Sequence, residues 1–152
     1  MPPQLQEHDY KNNHFEYPEC TRIHGEPTTA TLLTLRNKIK ANAQTVETVL
    51  GGGAFGHLGL VSTAISYAAI PGTAPYVRPA NSGSLTIAPN ATQYVIAQTR
   101  DTHQENTCLF REVNAVKRAL IQQIVTAIEP KYLKAIRKPV TKKITRSIPA
   151  IF

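Results

Sequence analysis

From Thr28 the chain runs TTATLLTLRNKIKANAQTVETVL, with Leu32, Leu35, Ile39, Ala43, Val46 and Leu50 spaced by three or four residues. That spacing lays one apolar stripe along a helix predicted over 28–50, with Arg36, Lys38 and Lys40 on its polar face. Thr28 or Thr29, following Pro27, is placed to cap its start, and Gly51 to close it with a left-handed residue. In HLGLVSTAISYAAI, the positions Leu58, Val61, Ile65 and Ala68 share a side. A second helix is predicted over 55–69, stopped by Pro71-Gly72.

The strongest period lies further on. Leu109, Val113, Val116, Leu120, Ile124 and Ile128 form one stripe, widened by Phe110, Ile121 and Val125, in a helix predicted over 91–128. The run TRDTHQENT at 99–107 is polar on every side. An unbroken helix here would be about 57 Å long, so a break near 100–106 or a protruding helix is expected. Pro130 suits the first turn of a helix over 130–138, which Pro139 ends, and Thr141 caps a last one over 141–152.

Two stretches lack a period. Residues 1–27 hold Pro2, Pro3, Pro18 and Pro27 and read as an extended or poorly structured arm, pinned by Phe15 and Tyr17. Residues 71–90 are rich in proline, glycine and asparagine and read as a long loop. The predicted fold is therefore all-α: a single irregular helical bundle over 28–152 preceded by an arm. No stretch has the ~18–20 apolar residues of a membrane span, and the N-terminus has no secretory pattern, so a cytoplasmic protein with no membrane contact is expected.

Charge changes this picture at one place. Residues 1–129 balance their charges, and the net +7 resides in Lys131, Lys134, Arg137, Lys138, Lys142, Lys143 and Arg146, with no acid among residues 130–152. A segment of this kind suits a nucleic-acid backbone or an acidic partner, as well as a solvated helix face.

Candidate chemistry is sparse. Gly51, Gly53 and Gly56 in LGGGAFGHLG have the spacing of a dinucleotide-binding turn. Such a turn needs a strand before it and an acid about 20 residues later. The preceding segment is helical in pattern, and no acid lies between Glu47 and Asp101, so a C-cap followed by a connector between helices is the better reading. His8, His14, Cys20 and His24 match no usual zinc spacing. Cys20 and Cys108 read as reduced, buried thiols. His57 has no carboxylate near it in sequence, Glu112 and Glu129 read as surface charges, and no nucleophile motif occurs. The chain is expected to be no enzyme, with no cofactor, no metal and no small-molecule substrate.

The runs TRIHGEPT (21–28), KANAQTVETVLGGGAFGHLGLV (40–61) and FREVNAVKRALIQQIVTAIEPKYLKAI (110–136) resemble the N-terminal part of Gag-like, capsid-type proteins of copia-type retrotransposons from algae and other protists. The resemblance covers about residues 15–152. It implies a helical structural protein that self-associates into particles and packages RNA. Leu120, Ile124, Ile128, Tyr132 and Leu133 are then core or self-association surface, and the seven basic residues from Lys131 to Arg146 face RNA. The chain departs from that pattern in lacking a zinc knuckle and in ending at Phe152, where further helices are expected; a truncated or domesticated copy fits. The alternative is a non-catalytic accessory subunit docking into a larger assembly.

Overall fold

The computed structural model describes residues 5–134 and Ile148. The chain is all-α. Among residues 5–134 the helices are α1 (Glu7–Asn13), α2 (Thr29–Gln44), α3 (Ala64–Ala68), α4 (Gln93–Ala127) and α5 (Pro130–Leu133), with 3-10 turns at Leu50–Gly52 and Leu58–Leu60. Among the described residues the β-type pairing is an isolated parallel bridge between Ile23 and Ile128.

Thr28 caps α2: its hydroxyl accepts from Thr31 N–H at 3.2 Å. The helix ends at Gln44, six residues short of the predicted end, because the Thr45 hydroxyl donates to the Asn42 carbonyl at 2.7 Å and competes with the next helical bond. Gly51 consequently caps no helix. It sits at φ 62° inside a 3-10 turn, a backbone state that other residues reach only with strain.

The helix predicted over 55–69 is two short pieces. Thr63 adopts an extended backbone and its hydroxyl accepts from Ser66 N–H at 3.2 Å, so a new helix starts at Ala64. Here a local cap overrides an apolar period too short to prevail.

Within the stretch expected as an arm, over 1–27, the described residues include a short helix. Gln6 N–H donates to the Asp9 carboxylate at 2.9 Å and starts α1, which buries Tyr10 against the core, with Phe15 beyond it. Three amide groups then tie the following segment down. Asn42 Nδ2 donates to Gln123 Oε1 at 2.7 Å and to Tyr17 O at 3.0 Å, while Tyr17 N–H donates to Asn42 Oδ1 at 2.7 Å and Gln123 Nε2 to Tyr17 O at 2.8 Å. Each buried amide is satisfied by another, which makes the network specific to one register. Ile23 N–H reaches Ala127 O, and Gly25 N–H reaches Glu129 Oε1 at 3.1 Å.

One core joins these parts, formed by Leu35, Ile39, Leu60, Val116, Leu120, Ile124 and Leu133 with Ile148. Helix α4 runs unbroken for 35 residues, about 52 Å. Its polar stretch stays helical, with Thr99 and Thr107 hydroxyls donating back to the carbonyls of Val95 and His103. The buried residues of α4 begin only at Val113, so its first half leaves the core. Of the helices predicted over 130–138 and 141–152, residues 130–134, helical over Pro130–Leu133, and the single residue Ile148 fall within the described residues.

Candidate functional site

The glycine-rich turn is organised around a histidine. His57 is fully buried; its Nε2 lies 3.0 Å from Glu112 Oε1 on α4, and its Nδ1 lies 2.7 Å from the Tyr76 hydroxyl. In the tautomer that carries its proton on Nε2, the ring donates to the Glu112 carboxylate and its Nδ1 accepts from the Tyr76 hydroxyl. Burial pushes the Tyr76 phenol well above its ordinary value, opposed by Arg78 and reinforced by Glu112 and Tyr67. The hydroxyl therefore keeps the proton it donates.

The local fold follows from where glycine is required. Gly56, at φ 52°, packs its α-carbon onto the carbonyl oxygens of Ala43, Gln44 and Val46 at the end of α2, where a β-carbon would not fit. This close approach lets His57 N–H donate to Ala43 O at 2.9 Å. The Gly59 and Gly51 positions are covered by the rings of Tyr76 and Tyr67, and the Tyr67 hydroxyl donates to Gly51 O at 2.8 Å. Tyr67 and Tyr76 meet edge-on at 5.7 Å. The glycines thus admit carbonyls and aromatic rings.

Beside this turn lies an open cavity of about 620 Å³. Its polar wall is Glu47, Glu112 and Gln44, and its apolar wall is Val49, Ala54 and Leu109. No Lys, Arg or His belongs to the lining among the described residues. The carbonyl end of α2 adds partial negative charge. A phosphate would meet repulsion here, whereas a cation on an aliphatic stem finds both halves of its chemistry. His57 itself has both ring nitrogens engaged and no solvent exposure, so it offers no free lone pair to a substrate.

The residues singled out from sequence fall in three places. Leu120, Ile124, Ile128 and Leu133 are buried in the chain's own core, and Tyr132 packs against it. Lys131 is exposed, 3.8 Å from Glu129 Oε2 and 5.0 Å from the Tyr132 ring centre. Its ammonium is held above the ordinary lysine value by Tyr132 first and Glu129 second. Lys134 is exposed. Arg137, Lys138, Lys142, Lys143 and Arg146 lie outside the described residues.

Glu112 corrects the sequence reading, since it is a partner of a buried histidine rather than a free surface charge. The signal was present in its position on α4: Cys108, Ala115 and Ala119, its helical neighbours, are half-buried or buried, so Glu112 flanks the stripe. Glu129 is likewise engaged, through Gly25. Among the described residues no helix is long and apolar enough to cross a membrane, and no group of three or more His, Cys, Asp or Glu is placed to hold a metal ion. No family model, no curated protein and no solved structure matches the chain.

Proposed function

We propose that the chain is a Gag-like structural protein of the cytoplasm, an irregular helical bundle with a long loop over 71–90, that self-associates and holds RNA through its basic 130–152 stretch. It performs no catalysis in this reading. The observation that carries it is the first half of α4. Gln93–Glu112 extends about 30 Å without a fully buried side chain and exposes Tyr94 and Val95 at 75% and 42%. A helix half that stands clear of the core is a surface for another chain.

Sedimentation velocity on the full chain and on the Tyr94→Ser/Val95→Ser variant tests the first clause: the wild type forms concentration-dependent oligomers and the variant does not. A chain that stays monomeric at every concentration supports the accessory-subunit reading instead. For the second clause, affinity for single-stranded RNA falls with salt, and replacing Lys138, Lys142, Lys143 and Arg146 by Gln flattens the slope by ~0.7 for each phosphate no longer neutralised. Salt-independent binding removes RNA from the function.

A further inference from the structure

We infer that the cavity beside the glycine turn receives a lysine or arginine side chain from the basic 130–152 segment of a second copy of this chain. The inference rests on the self-association reading and names a contact at the Leu109–Glu112 end of α4, apart from Tyr94 and Val95.

The cavity has the two halves such a side chain requires. Val49, Ala54 and Leu109 form an aliphatic wall for the stem, and Glu47, Glu112 and Gln44 provide oxygen acceptors for the charged end. Glu112 is already oriented, because His57 holds one of its oxygens at 3.0 Å. Glu47 is exposed and makes no ion pair among the described residues. Adding a cation there costs little desolvation, since the mouth is open, and gains attraction from two carboxylates and the carbonyl end of α2.

The occupant follows from charge. Residues 1–129 are neutral overall, and the seven excess cations all lie in 130–152, without an acid. The segment complementary to an acid-lined cavity is thus encoded in the same chain. Within one copy, Lys131 and Lys134 follow the C-terminal end of α4, and Glu112 lies about 22 Å back along that helix from Ala127. Leu133 and Ile148, on either side of the run, are both buried in their own core. Docking from a neighbouring copy leaves Leu133 and Ile148 in place in their own core. The contact is heterologous, cavity to segment, and so propagates from copy to copy.

A charge-swap experiment tests this. Two variants are made in the full chain, Glu47→Lys and the fourfold Lys138→Glu/Lys142→Glu/Lys143→Glu/Arg146→Glu. By sedimentation velocity at low salt each alone associates at least tenfold more weakly than the wild type, and mixing the two in equal amounts restores association. The idea is overturned if Glu47→Lys associates like the wild type, if the mixture stays dissociated, or if the wild type is monomeric throughout. A labelled peptide of residues 130–152 gives a second readout by anisotropy: it binds the Tyr94→Ser/Val95→Ser chain as it binds the fourfold variant, and binds the Glu47→Lys chain at least tenfold more weakly. Equal peptide binding to all three chains overturns the cavity assignment. If the α4 reading alone is wrong, Tyr94→Ser/Val95→Ser sediments as wild type while Glu47→Lys does not; if the cavity alone is wrong, the pattern reverses.

Discussion

His57 and Glu112 stand 55 residues apart in the chain, and their side chains meet at 3.0 Å. The contact fastens the glycine turn to the middle of α4, and Tyr76 on the other ring nitrogen fastens the following loop to the same point. Replacing His57 by Leu fills the space while stranding a carboxylate and a phenol. Stability is expected to fall by roughly 2–4 kcal/mol. Urea denaturation of the full chain measures it, and a loss below about 0.5 kcal/mol would mean that the two bonds add nothing.

The Asn42 and Gln123 amides give a second, local test. Asn42→Ala leaves Tyr17 N–H and Gln123 Oε1 without their partner, at a cost of about 3 kcal/mol. Because Tyr17 N–H is the donor to Asn42, its hydrogen-exchange protection should vanish in the variant while amides in the second half of α4 stay protected. Unchanged protection at Tyr17 would show that other interactions hold this segment.

Two glycines separate backbone strain from crowding. Gly25 and Gly51 both have positive φ, but a β-carbon at Gly25 meets open space whereas one at Gly51 runs into the Tyr67 side chain. Gly25→Ala should cost about 1 kcal/mol, and Gly51→Ala should exceed it by a further ~1–3 kcal/mol for overpacking. Gly51→Val is worse still. Equal losses for the two alanine variants would place Tyr67 away from Gly51.

Acid should weaken the tie at Glu129. The Gly25 N–H lowers the pKa of this carboxyl below its ordinary value of 4.5, burial opposing and Lys131, Arg22 and His24 assisting. A depressed folded pKa means that the stabilisation is complete above the ordinary value and disappears as pH falls through the folded one. The stability difference between wild type and Glu129→Gln is therefore expected to be constant well above the ordinary value of 4.5 and to shrink as pH falls below it. A difference independent of pH on both sides of that value would exclude Glu129 from the acid response.

The parts of the fold legible in sequence were those with local causes. The stripe from Val113 to Ile128 is a helix because its period persists over many turns, and Thr28 caps α2 because a hydroxyl needs only a neighbour three residues on. Helix α1 was not legible, since seven residues are too few for a period and Tyr10 gains its place from packing with distant segments. The apolar spacing at 55–69 misled because Thr63 caps a new helix inside it. His57, Glu112 and Tyr76 come from three separate elements, so no spacing along the chain announces them. The composition of 130–152 suits a charged partner, whereas the acid-lined cavity exists only once α2, the glycine turn and α4 are assembled.

Helix α4 also decides how far the molecule depends on being one covalent piece. Residues 81–86 are exposed, and the pairings that close the core run between the chain before α3 and the chain after Glu112: Ile23 with Ile128, Asn42 with Gln123, His57 with Glu112 itself. A protease cut between Asn81 and Leu85 would leave Tyr76 attached to His57 and sever none of these pairs. The two fragments should remain a single particle after digestion, and the same boundary is where the chain can be expressed as two halves that find each other.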